Sequence, residues 1–89
     1  MSHWVATKPR QVRLFNRADK AVKSATPPLQ DALQEAIRDI AANPLAGIPL
    51  KGEFKGLRRY RVGSLRIVYH FTDTTIEIVN IADRKDVYL

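Results

Sequence analysis

The 89-residue sequence has no cysteine, only two histidines, one tryptophan and four glycines. Without thiols there is no disulfide framework and no thiolate zinc site, and two histidines make no metal centre without carboxylate help. No apolar run approaches the ~18 residues of a membrane span. The opening Met1-Ser2-His3-Trp4-Val5-Ala6-Thr7-Lys8 lacks a charged start followed by an apolar stretch, so no secretory signal is expected. These absences lead to the expectation of a cytoplasmic protein with no cofactor, no metal and no membrane partner. Acidic residues are also scarce, nine against 15 Lys and Arg, for a net charge of +6. That balance points to an anionic partner, either nucleic acid or an acidic protein, although an ordinary solvated surface has the same composition.

A chain this short is expected to form one domain, 1–89, that buries only about 60–65% of its unfolded surface. Such a domain has little room for a deep enclosed cleft. An open face suits a macromolecular substrate better than a small metabolite. Composition leaves self-association open.

Trp4, Val5 and Ala6 suggest a short strand, and Thr7 with Pro9 suggests the start of a helix over roughly 8–23. Val12, Phe15, Ala18 and Val22 recur at near-helical spacing, and Arg10, Arg13, Arg17 and Lys20 fall on the opposite side as a basic stripe. The stripe reads equally as a solvated helix face. Thr26-Pro27-Pro28 ends that helix and opens a second, with Leu29, Leu33, Ala36, Ile37 and Ile40 as its buried face and Asn43-Pro44 as its stop. Beyond Pro44 the pattern changes to β-rich runs at 57–62, 65–71 and 75–81, with Gly63-Ser64 as a tight hairpin turn and Thr72-Asp73-Thr74 as a second turn. The expected architecture is α+β: an N-terminal strand, an antiparallel helical hairpin, then a mainly antiparallel sheet of about four strands.

Alternation along 57–62 sends Arg59 and Arg61 to one face and Tyr60 and Val62 to the other. In the next run Leu65, Ile67, Tyr69 and Phe71 suit the core and leave Arg66, Val68 and His70 opposite them. Arg59, Arg61 and Arg66 are therefore expected to converge across the hairpin. Three like charges so close are unfavourable unless an anion joins them. From Lys51 to Arg66 there are six basic residues, Lys51, Lys55, Arg58, Arg59, Arg61 and Arg66, opposed by Glu53 alone. The alternatives are a phosphate-binding surface and a solubilising sheet face.

The run from Pro49 to Tyr69 resembles the central signature of the RelE/ParE superfamily of toxins from type II toxin-antitoxin systems. Asp83-Arg84-Lys85-Asp86-Val87-Tyr88 is similar to that family's C-terminal strand and its arginine-to-tyrosine motif. Trp4-Val5 and the proline-interrupted helical pair match in order, so the resemblance covers nearly the whole chain. It implies a sheet with a concave basic face and neutralisation by a cognate antitoxin. In the RelE branch it further implies an endoribonuclease that inhibits translation by cutting mRNA in the ribosomal A site, where the RNA 2′-hydroxyl attacks its own 3′-phosphate. The ParE branch shares the fold but poisons DNA gyrase. A non-catalytic nucleic-acid or protein-binding module is a third alternative.

Carried across by position, the resemblance makes Arg59, Arg61, Arg66, Arg84 and Tyr88 the candidate catalytic set. Lys51, Lys55, Arg58, Arg13 and Arg17 are candidate RNA contacts. Guanidinium forks stabilise the charge that builds on the phosphorane more than they stabilise the ground state. Arg59 and Arg61 stand where RelE itself has lysines, and a guanidinium is a poor general base. Lys51, Lys55, Lys85, His70 and Tyr88 remain as candidates for that role.

Overall fold

The structure, a computed structural model, describes residues 10–83. Strand β1 (Gln11–Leu14) is followed by helices α1 (Asn16–Ser24) and α2 (Pro27–Ala42), then β2 (Ile48–Pro49), β3 (Arg58–Val62), β4 (Leu65–Phe71) and β5 (Thr75–Asp83). The strands form one sheet in the order β1-β5-β4-β3-β2. β1 runs parallel to β5, and every other pairing is antiparallel. This is the expected α+β class with one strand more than anticipated, the two-residue β2.

The first helix is the main departure from expectation. Residues 11–14 form a strand, and α1 begins only at Asn16. Gln11-Val12-Arg13-Leu14 also alternates polar with apolar, and pairing with β5, Val12 opposite Ile76 and Leu14 opposite Ile78, selects that reading. The proposed basic stripe of Arg10, Arg13, Arg17 and Lys20 therefore does not exist as one helix face. Arg13 lies on β1, while Arg17 and Lys20 lie on α1. The strand expected at Trp4 lies outside the described residues.

The second helix matches expectation, with prolines in its first turn and Asn43 at its end. Leu33, Ala36, Ile37, Ile40 and Ala41 face inward from α2, joined by Ala18 of α1. They pack on Ile67, Tyr69, Ile76, Ile78 and Ile81 of the sheet in one apolar cluster. Each fully buried aliphatic side chain contributes about 1.5–3 kcal/mol. Both helices thus cover one face of the sheet. No helix of the described residues is long and apolar enough to cross a membrane.

Two local devices fix the sheet's geometry. Gly63 takes φ 60° while, among the described residues, no residue other than glycine has positive φ, the pattern of a type II′ turn, so Val62 opposes Leu65 across a two-residue loop. In β5 the register shifts by one: Val68 pairs with Asn80 and Tyr69 with Ile78, leaving Val79 as the extra residue of a β-bulge. The bulge explains why inward residues run Ile76, Ile78 and then Ile81.

Tyr69 anchors the segment after α2. Its buried hydroxyl donates to the Pro44 carbonyl at 2.6 Å and accepts the Gly47 amide N–H at 2.9 Å. A Cβ at Gly47 would lie 2.5 Å from that hydroxyl and 2.7 Å from the Arg59 carbonyl oxygen, so a side chain there has no space. Burial pushes the Tyr69 phenol above its ordinary value near 10. The protonated phenol is thus favoured in the folded state, and its contribution is intact below about pH 10 and lost as pH rises through the raised value. Tyr69→Phe should cost about 1–3 kcal/mol at neutral pH, because two buried backbone groups lose their partner. Urea denaturation should also show that the variant loses less stability than the wild type above about pH 10.

Candidate functional site

The open face is built by the β3–β4 register. Arg61 lies directly opposite Arg66, and Arg59 opposite Val68, so all three guanidinium-bearing residues project from the same side. On the outer flank Ile48 of β2 is opposite Arg59. Ile48, Arg59, Arg61 and Arg66 together line a concavity of about 330 Å³. The convergence expected from alternation is therefore present, with an isoleucine at its edge.

The three arginines differ in exposure for a topological reason. β4 is the central strand, flanked by β3 and β5, and Arg66 sits between Arg61 on one side and Ala82 on the other. It is only 7% exposed, whereas Arg61 is exposed and Arg59 half-buried. Arg66 faces away from the apolar core, as expected, but it is not a surface side chain. Next to it, on the same face, lies buried Asn80, whose Oδ1 accepts the Ile81 amide N–H at 2.9 Å.

The same face carries a second row of charges towards β1. Glu77 of β5 lies opposite both His70 and Arg13. Its Oε1 is 2.7 Å from His70 Nε2, and its Oε2 is 3.7 Å from an Arg13 guanidinium nitrogen. The Arg13 guanidinium also lies 5.7 Å from the centre of the Phe15 ring. His70, a candidate general base, is thus oriented by a carboxylate. It stands four residues along β4 from Arg66, roughly 13 Å at ~3.3 Å per residue.

Not every predicted residue joins the concavity. Arg58 opposes Tyr69 and so points to the helix side. Its Nε donates to the Gly47 carbonyl at 3.0 Å, and a terminal guanidinium nitrogen reaches the Leu45 carbonyl at 3.5 Å. That makes it a clamp on the segment before β2. Lys51 and Lys55 are exposed around a 3-10 turn at Gly52–Phe54, and Arg17 is exposed on α1. Arg84, Lys85 and Tyr88 lie outside the described residues. Sequence reading missed Ile48. Its signal was slight, an apolar residue before Pro49, a position biased to extended backbone, at the edge of a basic run. Among the described residues no three His, Cys, Asp or Glu side chains gather as a metal site.

Chemically, the concavity is an anion cradle. Like charges on directly opposed residues repel, and a phosphate or carboxylate placed among the guanidinium groups removes that penalty and adds charge-assisted hydrogen bonds.

This fold recurs in toxins of bacterial and archaeal toxin-antitoxin pairs. The family described as ParE toxin of type II toxin-antitoxin system, parDE, matches residues 12–88. The RelBE2 toxin-antitoxin complex of Mycobacterium tuberculosis is 30% identical, over 88% of this chain and 94% of that one, at a TM-score of 0.77. YafQ from Escherichia coli strain BL21(DE3) is similar in fold at 18% identity, over 90% of this chain and 99% of its own, with a TM-score of 0.70. The toxin fold also matches the intact E. coli RelBE complex at 15% identity, over 83% of this chain and 95% of that one, with a TM-score of 0.70. No curated protein matches the sequence. The chain belongs to the ParE toxin family of type II toxin-antitoxin systems, within the RelE/ParE superfamily.

The two neighbouring arginines 58 and 61 should behave oppositely on substitution. Arg58→Ala should cost about 1.5–3 kcal/mol, since it removes hydrogen bonds from a charged donor to two backbone carbonyls. Arg61→Ala should leave stability within about 0.5 kcal/mol of wild type, since the side chain is exposed and its loss relieves repulsion with Arg66. Chemical denaturation of the two variants in parallel checks both.

Proposed function

We propose that this toxin, a single domain over 1–89, is a ribosome-dependent endoribonuclease that inhibits translation by cutting mRNA. The observation that carries the reading is the grouping of Arg59, Arg61 and Arg66 around one concavity on the sheet face opposite the helices. In-line attack of a 2′-hydroxyl on the adjacent phosphate concentrates negative charge on the phosphorane oxygens. Guanidinium groups fixed on rigid strands stabilise that charge with little reorganisation. The 30% identity to a toxin solved as a RelBE2 complex supports the RelE-like reading. Arg84 and Tyr88 complete the catalytic set through the family's C-terminal motif. Tyr88 stacks on a base or shares in proton transfer, and the ribosome supplies substrate alignment that an 89-residue protein lacks. Lys51, Lys55 and Arg13 extend the positive field along the RNA, and Arg17, carried by α1 in the helix layer, does not. Arg58 is left out of that role because its guanidinium is engaged on the helix side.

The match to the ParE family favours a second reading, inhibition of DNA gyrase through the same face without RNA cleavage. In both readings the partner that silences the toxin is a cognate antitoxin, as in the complexes of its structural relatives. Its toxin-binding segment is acidic and covers the arginine cradle.

In a purified translation system the wild type should cut mRNA only when ribosomes are present. Arg61→Ala should lower that rate about 10²-fold, the scale of losing one donor to a developing oxyanion. Intact mRNA together with relaxed plasmid accumulating in a gyrase assay establishes the second reading instead. Antitoxin binding should weaken steeply from low to high salt, because its ion pairs are at the surface. An affinity independent of salt rules out the electrostatic contact.

A further inference from the structure

The arginine cradle has one wall that electrostatics does not explain. Ile48 is 57% exposed and sits in a concavity whose other lining residues, among those described, are arginines. It is opposite Arg59, so the two Cβ atoms are roughly 5 Å apart on the same face.

Its position is fixed with unusual strength for an edge residue. The preceding Gly47 is buried, its amide N–H bound by the Tyr69 hydroxyl and its carbonyl by Arg58. The following Pro49 restricts Ile48 to extended backbone. Three interactions thus hold an isoleucine where it stays wet in the free protein.

We infer that Ile48 forms a nucleobase subsite: the cradle takes one nucleotide unit, with its phosphate on Arg59, Arg61 and Arg66 and its base lying flat against Ile48. The inference rests on the RNA-cutting reading and adds the element that discriminates between nucleotides. About 330 Å³ is at the small end of ligand sites, the scale of one nucleotide and not of a folded RNA surface. A nucleotide carries an anion and a flat, weakly hydrated ring within one repeat. Those are the two chemistries this wall presents. An inorganic anion satisfies the guanidinium groups and leaves Ile48 in water. Since aliphatic contact has no hydrogen-bond code, the preference it gives follows the size and polarity of the base face, with purines favoured over pyrimidines.

The test uses fluorescence anisotropy with a single-stranded adenine hexanucleotide RNA carrying 2′-O-methyl sugars to prevent cleavage, and an abasic hexamer of the same backbone. Wild type should bind the intact oligomer about five- to tenfold tighter. Ile48→Ala should bring that ratio close to one, and Ile48→Tyr should restore or enlarge it by giving the base an aromatic face. Arg61→Ala should weaken both oligomers and keep the ratio. A ratio near one in the wild type, or an unchanged ratio in Ile48→Ala, overturns the subsite and leaves the nuclease reading standing. Failure of the wild type to bind either oligomer at low salt overturns the subsite, while ribosome-dependent cleavage decides the nuclease reading separately.

Discussion

The register between β3 and β4 is the constraint on which the rest depends. With Val62 opposite Leu65 across Gly63-Ser64, every second residue of both strands is committed to the helices and the remainder to the open face. A slip of β3 by one residue against β4 would turn Tyr60 and Val62 to water and drive Arg59 and Arg61 into the core. No such slip is tolerable, because burying one unpaired guanidinium costs more than the hairpin's pairing returns. The apolar packing that stabilises the domain and the charge cluster that gives it an activity are two faces of one alignment.

That arrangement sets two neighbouring arginines to different work. Arg58 and Arg59 are adjacent, yet the pleat directs one towards backbone carbonyls before β2 and the other into the cradle. Arg58 with Tyr69 holds the segment that delivers Ile48 to the rim. Arg66 occupies a middle ground. As the residue on the central strand it is shielded by both neighbouring strands, so it serves as the fixed member of a cluster whose outer member, Arg61, remains free to meet solvent.

Much of this was legible in the chain. Wherever structure depends on near neighbours, as at the prolines opening α2, the Gly63-Ser64 turn and the alternation of β3 and β4, the residues announce it directly. Residues 11 to 15 did not follow. Gln11 to Leu14 satisfies both a helical and an alternating pattern, and the choice is made by β5, far along the sequence, which offers a parallel edge for Val12 and Leu14. The bulge at Val79 and the two-residue β2 were similarly hidden, because a single extra residue or a single pair of partners leaves no periodic trace. In the candidate site, the arginines were found by alternation and Ile48 was not, since nothing local marks an isolated aliphatic residue as part of a charged surface.

The parallel β1–β5 pairing has a bearing on synthesis. Among the described strands the first pairs with the last, so during translation β1 waits for β5 while the helices and the hairpin of β3 and β4 are already available to form. Closing a loop of that span is a slow step relative to local contacts. On the ribosome the sheet therefore lacks its β1 side until β5 has emerged.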